Sequence, residues 1–228
     1  MKRSRINAIM AEADEMIRRH GFVLPPFARW SPAEFRTRRE TAAAVIDARC
    51  GWDITDYGQG DFDRLGLFLF TLRNGRLADL RRGGGMCYAE KLLISRQDQI
   101  SPMHTHVIKA EDIINRGGAT LVIELFGSDD RGGFAADRGG TVWCDGIRTP
   151  YGPGTKLRLA PGESVTLMPG DWHAFWGEGG DVLIGEVSTV NDDETDNIFR
   201  EPIGRFAAVE EDVEPTHLLV SDYRSWLG

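Results

Sequence analysis

Four side chains in two short segments have the types and spacing of a metal site. His104 and His106 are two residues apart, so in a β-strand both project from the same face. Glu111 lies five residues beyond His106 and can add a carboxylate across a turn, while His173 follows a Pro-Gly turn in the second segment. This mixed nitrogen and oxygen set suits Mn²⁺, Fe²⁺, Co²⁺, Ni²⁺ or Zn²⁺ and suits Ca²⁺ poorly. The two segments together predict one divalent metal site.

Each segment by itself also has a structural interpretation. An isolated His-x-His pair is common in strands that bind no metal, and a single histidine after a turn is weaker evidence still. The remaining histidines, His20 and His217, have no comparable setting, and we expect them to be surface or core residues.

The elements that must position these residues are short strands. From residue 66 onward, apolar runs alternate with clusters of Gly, Pro and Asp, and no long helical pattern separates them. This arrangement predicts an all-β sandwich or barrel. We expect strands over residues 67–72, 88–95, 121–126, 156–159, 164–168 and 182–190. The Gly- and Asp-rich stretch 127–155 shows little periodicity and is predicted to be a long excursion between two halves of the barrel.

The N-terminal part of the chain has a different pattern. Apolar residues recur at helical spacing over residues 6–17, which predicts a first helix. A capping box with proline at the first helical position predicts a second helix over residues 31–49. We therefore expect residues 1–60 to form a helical extension packed on a barrel of residues 61–228, as a single structural domain. The basic residues of the extension favour a solvated face, with a binding helix as the alternative.

Composition and charge exclude several classes of protein. The 228 residues carry 27 Lys and Arg against 35 Asp and Glu, a net charge of -8. Nucleic acids and anionic membranes are therefore not expected as partners, because phosphate affinity needs clustered positive charge. No apolar run approaches the length of a membrane span, and the first residues lack the pattern of a secretory signal. Three scattered cysteines form no disulfide framework, so we expect a cytoplasmic location.

The first histidine segment resembles the first motif of the cupin superfamily, G-x5-HxH-x3,4-E-x6-G. His104, His106, Glu111 and Gly118 match this motif at the right spacings. The opening glycine is missing, because Asp98 occupies its position. The departure leaves every ligand position of the motif intact.

The second segment resembles the second cupin motif, G-x5-PxG-x2-H-x3-N. Gly170 and His173 match it. Gly162 is one residue too far from Pro169, Pro169 directly precedes Gly170, and Gly177 replaces the asparagine. The metal ligand of this motif is again present, so the resemblance implies a cupin β-barrel, jelly roll-like and mainly β.

Further stretches resemble the cupin-type D-lyxose isomerases. These are residues 88–91, 109–118, 185–193, 205–206 and 210–212, so the resemblance covers most of residues 66–222. That family carries an N-terminal helical extension, which fits the first sixty residues. The resemblance implies a homodimer and one divalent metal ion, usually Mn²⁺. It also implies aldose–ketose isomerisation of free sugars, D-lyxose to D-xylulose and often D-mannose to D-fructose. L-ribose isomerase has the same ligand arrangement, so reaction type is better defined than substrate.

Aldose–ketose isomerisation moves a proton between C1 and C2 of the sugar, so it needs a base and a group that stabilises negative charge on oxygen. Glu186 lies in a strand that is otherwise apolar, where a carboxylate costs stability unless it is paired or used, and it is the first candidate for the base. Lys109 matches a family lysine that points at the substrate and would stabilise a developing alkoxide. Glu111 could serve both as ligand and as proton carrier. Contacts with the sugar are predicted for Lys91, Asp193, Arg205 and Trp172.

Each of these roles has an alternative. Glu186 could be an ion-paired structural residue, Lys109 an exposed lysine and Trp172 a core residue of the barrel. For the whole protein, a cupin dioxygenase with Fe²⁺ and O₂ would use the same ligands without needing Glu186 or Lys109. A non-catalytic sugar-binding or regulatory cupin is the other alternative.

Overall fold

A computed structural model describes residues 1–193 and 195–227, in which strands predominate. The helices are α1 Arg3–Arg19, α2 Pro32–Thr37, α3 Ala43–Asp47, α4 Leu77–Arg82 and α5 Tyr223–Trp226, with 3₁₀ turns at Pro26–Arg29 and Val220–Asp222. The first six strands are β1 Gly51–Thr55, β2 Leu67–Asn74, β3 Tyr88–Ser95, β4 Ser101–His106, β5 Glu111–Ser128 and β6 Phe134–Ala135. The others are β7 Gly140–Cys144, β8 Ile147–Tyr151, β9 Thr155–Leu159, β10 Ser164–Leu167, β11 Trp172–Thr189 and β12 Asn197–Phe199. No helix within the described ranges is long and apolar enough to cross a membrane.

The strands form one connected antiparallel sheet that folds over on itself. Its main path runs β1-β2-β3-β11-β5-β10-β7-β8, and β4, β6, β9 and β12 pair off that path. β5 and β11 are 18 residues long and pair with each other, each with different further neighbours at its two ends. Gly118 lies at the bend of β5 with φ +98°, and a Cβ there would lie 2.3 Å from the carbonyl oxygen of Asp181. Only glycine fits this close approach of the two long strands.

Two apolar clusters follow from the alternation of side chains along the strands. The inner cluster lies between the two layers of the folded sheet and includes Leu69, Leu93, Ile123 and Ile184. The opposite face of β2 and β3 packs against the apolar stripe of α1. The predicted mainly β fold with an N-terminal helix is confirmed. Residues 1–60, predicted to be a helical extension, also contain β1, which pairs along its full length with β2.

The prediction of one helix over residues 31–49 is wrong in detail. The capping box is present, because Ser31 and Glu34 exchange the expected hydrogen bonds, but the helix ends at Thr37 and a separate α3 follows. Thr37 and Thr41 donate their hydroxyls to the carbonyl oxygens three residues earlier, a local bond that competes with helix propagation. No large apolar side chain lies between Phe35 and Val45 to hold the intervening turn on the core.

The stretch 127–155 has more regular structure than its weak periodicity indicated. It contains β6 and a hairpin of β7 and β8, and β7 extends the sheet through β10. The hairpin turn is Asp145-Gly146, with φ of +50° and +78°. Asp-Gly is a strong local signal for such a turn, because both central residues need positive φ.

Candidate active site

Three strands bring the four predicted metal ligands together. His104 and His106 are on β4, Glu111 is the first residue of β5, and His173 is the second residue of β11. The pairing of β4 with β11 places His173 opposite His104. One potential ligand atom from each of the four residues lies within 4.8 Å of the others, so the cluster could hold a metal ion.

The hydrogen bonds around the cluster do not involve the atoms that would bind a metal. His106 Nε2, His173 Nε2 and Glu111 Oε1 are buried and form no hydrogen bond with any residue that the structure describes. Glu111 Oε1 lies 3.3 Å from His106 Nε2 and 3.1 Å from His173 Nε2. His104 Nδ1 and His173 Nδ1 donate to the carbonyl oxygens of Pro102 and Asp171, at 2.8 and 3.1 Å. Because a carbonyl only accepts, these rings carry Nδ1–H, and in the neutral form of such a ring Nε2 has the lone pair that a metal binds.

The ionisation states also fit a divalent cation. Burial lowers the pKa of His104 well below its usual value, and the neighbouring imidazoles of His173 and His106 add to this. Burial and the Lys109 ammonium lower the pKa of His106. Burial by itself would raise the pKa of Glu111, but Lys109 and the imidazoles hold it well below the usual range. Neutral imidazoles beside an ionised carboxylate are the protonation states that bind a metal.

A chain of buried charges continues from the metal ligands. Lys109 Nζ lies 2.6 Å from Glu111 Oε2 and 2.9 Å from Glu186 Oε1. Lys91 Nζ lies 3.1 Å from the same oxygen of Glu186 and donates to Asn191 Oδ1 at 2.6 Å. The cross-strand register explains the second pair, since Lys91 on β3 is directly opposite Glu186 on β11. Glu186 is therefore connected to the predicted metal ligand Glu111 through one lysine.

Two lysines determine the state of Glu186. Burial favours the neutral acid, but the charges of Lys109 and Lys91 outweigh it and lower the pKa of Glu186. The pKa of Lys109 is raised above its usual value, because Glu111 and Glu186 outweigh the opposing effect of burial. Both groups are consequently charged near neutral pH.

Arg205 is held between two carboxylates. Its Nη2 lies 2.8 Å from Asp53 Oδ2 and 3.3 Å from Asp193 Oδ1. Arg205 Nη1 is buried and makes no hydrogen bond within the described ranges. Burial by itself would raise the pKa of Asp193, but Arg205 and Lys91 lower it. Asp53 was not singled out from the sequence. A signal was available, because Asp53 is a carboxylate between the apolar residues Trp52 and Ile54.

Most of the predicted site residues line one cavity. Besides the four metal ligands, the cavity wall includes Lys91, Lys109, Glu186, Asp193 and Arg205. Sequence reasoning missed several other wall residues, namely Tyr57, Ser101, Asn197 and Phe199. Phe175, an aromatic neighbour of His173 in the sequence, also lines the cavity, since on β11 it is two residues from His173 and shares its face.

Trp172 is not brought to this cavity. It precedes His173 on β11, so its side chain projects to the opposite face of the strand. The indole is 3% exposed and packs edge-on against Phe134, with ring centroids 5.6 Å apart. This geometry corresponds to the core alternative for Trp172 and not to a sugar contact.

Comparisons with known proteins show which family the chain belongs to. A model of the D-lyxose isomerase family matches residues 1–223. The chain belongs to this family. A D-lyxose/D-mannose isomerase of Serratia proteamaculans is 48% identical over 100% of both chains. One of Escherichia coli O157:H7 is 45% identical over 99% of this chain and 100% of its own. The sugar isomerase family predicted from the motifs is thereby confirmed.

A solved structure supports the architecture. The L-ribose isomerase of Cellulomonas parahominis with L-ribose superposes with a TM-score of 0.60 and 18% identity, over 92% of this chain and 98% of its own. At this identity the likeness concerns the fold alone, which is the cupin-like arrangement predicted from the two histidine motifs.

Proposed function

We propose that the protein is a metal-dependent aldose–ketose isomerase of free sugars, converting D-lyxose to D-xylulose and D-mannose to D-fructose. The observation that carries this proposal is the single cavity that joins the His/Glu cluster to the buried Lys109–Glu186 pair. The names of the two relatives at 48% and 45% identity support the choice of sugars.

The metal of this proposal is one Mn²⁺ ion held by His104, His106, Glu111 and His173. Three imidazoles and one carboxylate also accept Co²⁺, Fe²⁺, Ni²⁺ or Zn²⁺. When bound, the ion would supply Lewis-acid polarisation of sugar oxygens, which lowers the cost of removing a proton from carbon. Three buried ligand atoms without hydrogen bonds inside the described ranges support this assignment.

Glu186 is the proposed base that moves a proton between C1 and C2 of the sugar. Its two lysine neighbours keep it ionised and ready to accept that proton. Lys109 would stabilise negative charge that develops on a sugar oxygen. Glu111 is the alternative proton carrier, since its Oε2 lies 2.6 Å from the same lysine.

Arg205, Asp193 and Lys91 are the proposed contacts for sugar hydroxyls. Arg205 Nη1 is a buried donor with no hydrogen bond to the described chain, so a hydroxyl oxygen would satisfy it. Because Asp53 and Asp193 already balance the charge of this arginine, the arrangement favours a neutral group over a phosphate.

An anaerobic assay tests the function. Protein loaded with Mn²⁺ is incubated with D-lyxose, D-mannose or L-ribose, and ketose is measured by chromatography. Ketose from D-lyxose and D-mannose is the expected result. Ketose from L-ribose alone would make the protein an L-ribose isomerase. Absence of ketose from all three, with oxygen uptake on an aromatic or thiol substrate, would replace the isomerase by a cupin dioxygenase. Sugar binding without either reaction would indicate a binding cupin.

We also propose a homodimer in the cytoplasm. Leu92 and Leu183 lie on the face of the sheet that packs against α1. Tyr88 and Val187 lie on the same face but are 48% and 44% exposed, so they offer apolar surface to a second copy of the chain. Light scattering should give about 51 kDa, twice the chain mass of 25.4 kDa, and a monomer mass would contradict the dimer. The scattered cysteines support the cytoplasmic location, which cell fractionation tests.

A further inference from the structure

Asp196 has an unusual set of partners beside the ligand cluster. Its side chain is 5% exposed and accepts hydrogen bonds from three consecutive backbone N–H groups. Oδ1 accepts from Val107 at 3.1 Å and from Ile108 at 2.7 Å, and Oδ2 accepts from Lys109 at 3.0 Å. These residues join β4, which carries two histidine ligands, to β5, which begins at the ligand Glu111. One carboxylate therefore holds residues 107–109 of the connection 107–110 between these ligands.

The same carboxylate lies beside the His106 ring. Of the three histidines in the cluster, only His106 has an outer ring nitrogen, Nδ1, without a hydrogen-bond partner in the described residues. His104 and His173 both donate Nδ1–H to backbone carbonyls. His106 Nδ1 is buried and makes no hydrogen bond to residues of the described ranges, and Asp196 Oδ2 lies 4.0 Å from it. Asn197, the next residue, is directly opposite His106 in the β12–β4 register, which fixes Asp196 at this place.

We infer that Asp196 is a positioning residue for His106 and Lys109. Its carboxylate holds the 107–109 backbone, and it accepts the Nδ1–H of His106 only once a divalent ion is bound on the Nε2 side of the ring, since the two atoms are 4.0 Å apart without the ion. A carboxylate partner on the outer nitrogen orients an imidazole ligand and raises its basicity. The inference rests on the metal site of the proposed function, and it assigns a role to a residue outside the cavity wall.

The substitution Asp196→Asn tests the inference with little change in volume. An amide has one acceptor oxygen, so in either orientation its NH₂ group faces a backbone N–H or the His106 Nδ1–H. Asp129→Asn is the matched control, because Asp129 Oδ1 also accepts two backbone N–H groups, from Arg131 and Gly133, both at 2.8 Å. Asp129 belongs to the β5–β6 turn and does not line the cavity among the described residues.

The readout is the Kd for Mn²⁺, measured by competition with a fluorescent chelator. We expect a roughly 10- to 100-fold weaker Kd for D196N. The D129N and wild-type values should agree. Equal affinities of folded D196N and wild-type protein would overturn this inference and leave the proposed function standing. A wild-type protein that binds no divalent ion would overturn both.

A wild-type measurement covers the case in which D196N does not fold. Asp196 Oδ1 and Oδ2 are the acceptors of the Ile108 and Lys109 amides. Amide hydrogen exchange followed by NMR should show both amides strongly protected in metal-free protein. Exchange of these two amides at the rate of an unstructured loop would refute the positioning role.

Discussion

Removal of the charge of Lys91 should change the pH at which the enzyme works. Lys91 and Glu186 are directly opposite on β3 and β11, and their charged atoms are 3.1 Å apart. Both side chains are almost completely buried, so solvent screens the pair weakly. In Lys91→Met the ammonium is lost while a chain of similar length fills the space. The variant also removes the proposed sugar contact of Lys91 and its hydrogen bond to Asn191, so the position of the activity profile on the pH axis, and not its height, reports the effect on the proposed base.

The magnitude follows from Coulomb's law. At 3.1 Å and an effective dielectric constant of about 20, the attraction is about 5 kcal/mol. That energy would correspond to about four pKa units if nothing else responded. Lys109 remains 2.9 Å from the same oxygen, and the surroundings relax, so we expect the smaller shift of about 1–3 units typical for loss of an adjacent opposite charge. Because Lys91 lowers the pKa of Glu186, its loss raises that pKa.

The assay is the pH dependence of kcat/KM for D-lyxose at saturating Mn²⁺, since this ratio reports the ionisations of the free enzyme. The acidic limb should move to higher pH in K91M. Arg73→Met is the control, because Arg73 pairs with Glu90 at 2.8 Å and is half-exposed. Its profile should match the wild type. An acidic limb that stays within about 0.3 units in folded, metal-loaded K91M would show that Glu186 is not the limiting base.

Three further predictions concern the ligands and the base. His106→Ala should lose bound metal and turnover together, measured by elemental analysis and ketose formation, and full metal content would contradict it. Glu186→Gln should keep the Mn²⁺ affinity but lower kcat by about 10²–10⁴-fold. Glu178→Gln, at a half-exposed carboxylate, serves as its control, and retained turnover in E186Q would remove Glu186 from the mechanism. Because burial lowers the pKa values of His104 and His106, the unfolded chain binds more protons below about pH 6.5. Metal-free protein should therefore lose up to roughly 1.4 kcal/mol of stability per imidazole per pH unit on acidification from there, and an unchanged thermal midpoint between pH 7.5 and 5.5 would refute this.

Local patterns were sufficient for much of the fold and for the metal cluster. The strand over 88–95 and the capping box at Ser31 depend on neighbouring residues, and both are present as predicted. The His104–His106 spacing places two imidazoles on one face wherever a strand forms. These features depend on the spacing of apolar residues along the chain and on hydrogen bonds between near neighbours, and both can be predicted from a single sequence.

Other features were decided by pairing between distant segments. Arg205 meets Asp53 across 152 positions of the chain, and Asp196 reaches back to the loop after His106. The sequence alone does not show which residues of two distant segments lie opposite each other. Trp172 illustrates the same limit, because the strand phase set by His173 turns the indole away from the cavity.

The sequence by itself determined the residue types of the candidate metal site, the mainly β class and the isomerase family, because these depend on residue identity and short spacing. Only the tertiary structure decided which charges meet. It joined Lys91, Lys109 and Glu186 into one buried chain, and it gave His106 a carboxylate neighbour in Asp196. The physical reason is that a buried charge is stable only beside a partner, and strand register selects that partner.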